Sequence, residues 1–186
     1  MRRRFSEGSV SPRQLDIIKT LWRLWIEHVL WTRAFIVSAS FGLADLDAVT
    51  NRLLQNPADF ARVLRPLYGN LKAREFERLF TEHLLIAAAL VNAAKAGNAA
   101  EVEAQRAKWY KNAEEIASFL ADINPFWSRS SWRSMLFEHL RMTENEAVQV
   151  LTGQYAESIA QYDAIQRQAI VMADEMSQGI IRQFRI

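Results

Sequence analysis

The sequence predicts an all-α fold, an antiparallel bundle of four to five long helices with a short-helix connection between the first two. Three observations predict it. Apolar residues recur at alternating steps of three and four along most of the chain. Only six glycines and four prolines interrupt 186 residues, too few for a turn-rich β fold. Short connections at Gly97 and Gly153 require the helices they join to run antiparallel. No strand-period segment, internal repeat or low-complexity tract competes with this reading.

Each element has a start and a stop. Ser11-Pro12 is a capping hydroxyl followed by proline at the first helical position. From there Leu21, Leu24, Trp25, Val29, Trp31 and Phe35 carry a helix to Gly42. Between Leu43 and Gly69 the spacing predicts short helices, one capped by Asp45 or Asp47 and another starting at Asn56-Pro57, with Pro66 near its end. A second long helix spans Leu71 to Gly97, with the stripe Phe76, Leu79, Phe80, Ile86 and Leu90. Gly97-Asn98 is a tight turn in which glycine accepts the left-handed conformation that ends a helix. The third helix, Ala99 to about Ile123, is broken by Asn124-Pro125. A fourth starts near Ser128–Ser131. Thr143 and Glu146 have capping-box spacing, which predicts a new helical turn running to Gly153. The last helix covers Gln154 to about Phe184. Residues 1–10 read as a disordered basic tail, and 11–186 as a single helical-bundle domain.

Composition narrows the chemistry. The formal charge is +2, and Arg2, Arg3 and Arg4 account for more than that excess, so the body of the chain is close to neutral. Three terminal charges read as a solvated end, and no nucleic-acid partner is expected. There is no cysteine, which removes disulfides, thiolate metal sites and cysteine nucleophiles. The longest apolar run, Leu84 to Val91, is far short of the roughly 18–20 residues of a membrane helix. Ser6, Glu7 and Gly8 stand where a signal peptide needs an apolar core. The expected location is cytoplasmic, without a membrane partner.

Histidine is where the sequence points to a site. The three histidines, His28, His83 and His139, each follow a glutamate. Each lies on an apolar stripe: Leu21, Trp25, His28, Thr32, Phe35; Phe76, Phe80, His83, Ala87, Leu90; and Trp132, Met135, His139, Met142. That phase turns all three imidazoles toward the core. Counting residues through the turns puts them at one height, together with Asn112 or Glu115 and with Asp163 or Gln166. A buried imidazole needs partners at both nitrogens, or a metal at one and an acceptor at the other. Three imidazoles with a carboxylate or water suit iron, zinc, copper or nickel. The expected metal ligands are therefore His28, His83 and His139, with Asp163 or Glu115 as the fourth. Glu27, Glu82 and Glu138 sit about 100° around their helices from the histidines, which makes them flanking residues or partners behind the ligands. The tryptophans read as core and rim.

Other chemistries lack their motifs. Glu-x-x-His, which marks carboxylate-bridged di-iron bundles, does not occur, nor do His-Glu-x-x-His, the phosphate-binding glycine loops or a Gly-x-Ser-x-Gly elbow. The stretches Trp-Ile-Glu-His-Val-Leu-Trp-Thr-Arg (25–33), Leu-Asp-Ala-Val-Thr-Asn-Arg-Leu-Leu (46–54), Trp-Tyr-Lys-Asn-Ala-Glu-Glu-Ile-Ala (109–117) and Gly-Ile-Ile-Arg-Gln-Phe (179–184) resemble a family of uncharacterised small bacterial all-helical proteins. Members of that family often carry an automated label of acetylglutamate kinase. The resemblance covers nearly the whole chain past the arginines and implies a self-contained helical bundle. The kinase label does not carry over, because amino-acid kinases of that kind are α/β proteins with glycine-rich phosphate loops. All but one of the glycines beyond the tail lie where a helix ends, with Gly179 near the last end.

The expected function is a metal-binding helical bundle with a three-histidine core site, serving as a metal store, a sensor or a metal-dependent oxidoreductase. The alternative is a structural or protein-interaction bundle without metal or catalysis, with a homo-oligomer as one form. In that case Phe126, Trp127 and Trp132 would leave an apolar patch near the Asn124-Pro125 break.

Overall fold

The structure, a computed structural model, describes residues 10–186; the basic tail expected for 1–10 lies, but for Val10, outside them. The described residues form six helices and no strand: α1 Pro12–Phe41, α2 Leu46–Leu53, α3 Asn56–Lys95, α4 Ala99–Ile123, α5 Arg129–Leu151 and α6 Tyr155–Phe184. None of them is long and apolar enough to cross a membrane.

Local chemistry sets most boundaries where the sequence places them. Ser11 forms a capping box, its hydroxyl accepting from Gln14 N at 3.1 Å while Gln14 Oε1 accepts from Ser11 N at 2.9 Å. Gly42 ends α1 with φ 64°. Asn98 and Ser128 cap α4 and α5 through their side chains. Asp45 precedes α2, but its carboxylate accepts from the Ser38 hydroxyl instead of a backbone N–H.

Three expectations change. The helix starting at Asn56 and the second long helix are continuous across a sharp bend at Gly69 (φ 80°, ψ 170°), a conformation that only glycine adopts readily. No new helix starts at Thr143. Its hydroxyl donates to the carbonyl of His139 one turn back, and Glu146 pairs with Arg33, so neither side chain is available for a cap and α5 runs unbroken. Gly179 lies inside α6, where it makes room for Trp127: a methyl there would overlap the indole, whose Nε1 donates to Glu175 O at 3.1 Å. With Trp127 2% and Trp132 0% exposed, the apolar patch expected around them does not form; Phe126 alone is exposed.

The bend at Gly69 divides the bundle into three helical hairpins. α1 pairs with α2 and the first part of α3, the remainder of α3 pairs with α4, and α5 pairs with α6. Each first helix carries one histidine. The apolar core separates into two clusters. The larger holds Leu21, Trp25, Phe76, Phe80 and Trp132, and the smaller holds Phe35, Ile36, Val49, Leu84, Val91 and Ala147. On α1, α3 and α5 the smaller cluster lies wholly after the histidines, while the larger lies mostly before them and continues past them at Val29, Leu90, Leu140 and Met142.

Candidate metal centre

His28, His83 and His139 are 2%, 1% and 2% exposed, and the helical phase read from the sequence turns all three inward. The His28 ring lies close to both of the others. The centroid of His28 is 5.6 Å from that of His139 and 6.5 Å from that of His83. Imidazoles sharing one ion at metal–nitrogen distances of about 2.0–2.1 Å have centroids roughly 5 Å apart. Among the described residues, however, no three His, Asp or Glu side chains form a group that could hold a metal ion as they stand.

An amide from the second helix of its own hairpin stands behind each imidazole, and two of the three are hydrogen-bonded to it. His83 Nδ1 lies 2.9 Å from Asn112 Oδ1, and Asn112 Nδ2 donates to Leu79 O at 3.1 Å. His139 Nδ1 lies 3.1 Å from Gln168 Oε1, and Gln168 Nε2 donates to Met135 O at 2.7 Å. Asn56 stands in the same relation to His28 and donates to Leu24 O at 3.0 Å. There the ring nitrogen and the amide oxygen sit beside each other without closing a hydrogen bond. In every case the carbonyl belongs to the residue four before the histidine. With its nitrogen committed to that carbonyl, each amide can only present oxygen to the ring. An amide oxygen only accepts, so Nδ1 of His83 and of His139 carries the proton and Nε2 is left as a lone pair.

Burial also keeps these rings neutral. Desolvation lowers all three pKa values, that of His83 to about 3 and that of His139 to about 4, against partly compensating hydrogen bonds donated to Asn112 and Gln168. His28 is driven well below the usual value by desolvation and then by its two histidine neighbours. Aromatic side chains floor the layer. Trp25 packs edge-on to Phe80 and is stacked with Trp132, while Phe80 stacks on His28 with centroids 4.8 Å apart. The Nε1 donors of Trp25, Trp109 and Trp132 are buried without a protein acceptor.

The other expected ligands are not brought to the histidines. Glu115 is exposed and lies 3.8 Å from Lys111. Asp163 is exposed, and Gln166 is half-buried without reaching His139. The height count through the turns selects the correct level on α4, where Asn112 serves, and misses by less than a turn on α6, where Gln168 serves. The glutamates beside the histidines face outward into ion pairs: Glu27 with Arg23 and Arg52, Glu82 with Arg78, Glu138 with Arg141. The place behind the imidazoles belongs to amides.

A repeat that the sequence reading passes over accounts for this regularity. Asn56, Asn112 and Gln168 are spaced 56 residues apart, and the histidines 55 and 56. Four residues after each amide stands a core residue (Phe60, Ile116, Met172), five after it an alanine (Ala61, Ala117, Ala173), and eight after it Leu64, Leu120 or Met176. All nine are buried. The three hairpins thus present equivalent faces to a common centre. Comparison of the chain with protein-family models, with curated proteins and with solved structures finds no match, so the reading of the site rests on its own geometry.

Proposed function

We propose that the protein is a metal-binding helical bundle in which Nε2 of His28, His83 and His139 ligate one transition-metal ion. The observation that carries this reading is the amide behind each imidazole. A ligating histidine ordinarily donates its other ring N–H to a fixed acceptor, which sets tautomer and orientation. That bond is made at His83 and at His139, and Asn56 stands in the equivalent place beside His28. Neutral imidazole is also the form that binds metal, and burial enforces it. Ligation requires His28 and His83, now 6.5 Å apart, to close by more than an ångström, and His83 and His139 to stand at the same spacing. Three nitrogen ligands suit zinc, iron, copper or nickel, with water or another small ligand in the remaining position.

Binding to the native state alone raises its stability, by about 2.7 kcal/mol at a hundredfold excess over Kd. Zinc added to chelator-treated protein should raise the thermal midpoint, and excess chelator should reverse the rise. His83→Gln, which retains size and a partner for Asn112, should remove the response. A midpoint indifferent to zinc would favour the structural reading, in which the amides simply fasten the hairpins together.

A further inference from the structure

An unbroken line of electron-rich rings runs from the histidine layer to the surface. Trp25 packs edge-on to His28 with centroids 5.7 Å apart, and stacks on Trp132 at 6.3 Å. Trp132 meets Trp127 at 6.2 Å, and Trp127 meets Tyr68 at 5.9 Å. The three indoles are at most 2% exposed, whereas Tyr68 is half-buried and borders solvent. The chain has no cysteine, whose thiol is readily oxidised, so indole and phenol are left as its ready one-electron donors.

The two ends of the line are built differently. Indole Nε1 only donates, and those of Trp25 and Trp132 are buried without an acceptor. A ring oxidised there keeps its proton, so it stays a strong oxidant and draws an electron from its neighbour. Trp127 is fixed by its bond to Glu175 O and by the space that Gly179 leaves for it; a backbone carbonyl takes no proton. At Tyr68 that changes. Gln183 Nε2 is committed to Ile123 O at 3.1 Å, so its Oε1 accepts from the phenol O–H at 2.9 Å. Asn124 Nδ2 donates to the same phenol oxygen at 2.9 Å. The phenol is held in place beside solvent, and loss of its proton there traps the missing electron as a neutral tyrosyl radical.

We infer that Trp25, Trp132, Trp127 and Tyr68 form a one-electron transfer chain between the histidine centre and the surface. Its conduction rests on the rings alone; its service to an ion rests on the proposed function. With ferrous iron and hydrogen peroxide the electrons balance as follows. Reduction of one peroxide to two waters takes two electrons and two protons, one electron coming from the ion and the other from Trp25. Trp25 is refilled through Trp132 and Trp127 by Tyr68, which releases one proton to water. A small one-electron donor in solution, with one proton, then restores the phenol. That use suits an oxidoreductase better than a metal store.

A light pulse and cobalt separate the two claims. An ultraviolet laser pulse ejects an electron from tryptophan directly, buried rings included. In metal-free protein the indole-radical absorption should then decay as tyrosyl absorption grows, at a rate independent of protein concentration. Tyr68→Phe should lose the greater part of that growth. Trp127→Phe, which removes the last link, should do the same if the first variant fails to fold. Equal growth in the wild type and a folded variant overturns the inference, and leaves the metal site standing where the protein binds Co2+. Growth that these variants lose, in protein that binds no Co2+, supports conduction along the rings and overturns the proposed function, along with any service to an ion.

Discussion

Acidification should unfold this protein cooperatively between about pH 6 and pH 4, well before its carboxylates are fully protonated. Three histidines are neutral in the folded state, with pKa values lowered to about 3 for His83, about 4 for His139 and well below normal for His28. In the unfolded chain each returns to about 6.5. The stability linked to a depressed pKa is fully present above the unfolded value and is lost as pH falls toward the folded one. Here the unfolded state binds protons below about pH 6.5 that the folded state refuses. Each depressed histidine lowers stability by about 1.4 kcal/mol per pH unit in that window. His83 and His139 each account for roughly 3 kcal/mol between pH 7 and pH 4, against total stabilities of 5–15 kcal/mol for ordinary domains. Glu146 works the other way, because burial raises its pKa despite Arg33; it is one group against three. Urea midpoints measured across this range should fall steeply, and the slope should lessen in His83→Gln. A flat profile would show that the imidazoles are not held neutral.

Asn112→Ala should cost about 2–4 kcal/mol, far more than an ordinary polar-to-alanine change. It leaves the buried Nδ1–H of His83 without an acceptor, at about 1–3 kcal/mol, and removes packing at a site 1% exposed. The Leu79 carbonyl loses only its second partner, because it still accepts within α3. Glu115→Ala, three residues along the same helix, is the control: its exposed carboxylate should contribute within about 0.5 kcal/mol. Chemical denaturation of both variants separates a buried polar clamp from a surface effect. If Asn112 sets the ligating tautomer, the variant should also bind metal about 10–100-fold more weakly. Equal stabilities for the two variants would remove the clamp from the account.

Much of the fold is legible because helix ends are written in local chemistry. Ser11-Pro12, Gly42, Gly97-Asn98, Asn124-Pro125 and Gly153 act through caps and positive φ, which need no tertiary information. The inward phase of the histidines is legible for a similar reason, since helical period alone decides it. Thr143 and Glu146 misled because a capping pair and a pair committed to tertiary partners look alike in sequence; only Arg33, 113 residues away, distinguishes them. Asn56 reads as a helix start beside Pro57, and Gln168 reads as one more polar residue on a mixed helix. Nothing local announces that each will reach a histidine 28 or 29 positions earlier. The signal that could have found them is the recurrence at 56 residues, which preserves core size and the alanine while the surrounding residues diverge. Asp163 and Glu115 were selected for their charge, whereas the layer uses neutral amides. Carboxylates in those places would have raised the histidine pKa values, where the fold holds them down.

The central claim is that three neutral imidazoles form one first coordination shell, and cobalt tests it most directly. Untagged, chelator-treated protein titrated with Co2+ should develop the intense visible absorption of a four-coordinate nitrogen-ligated ion, saturating at one equivalent. His28→Gln, His83→Gln and His139→Gln should each abolish it while the helical circular dichroism persists. A spectrum unchanged from that of hexaaquo cobalt at saturation would contradict the claim, as would a site that survives any one of the three substitutions.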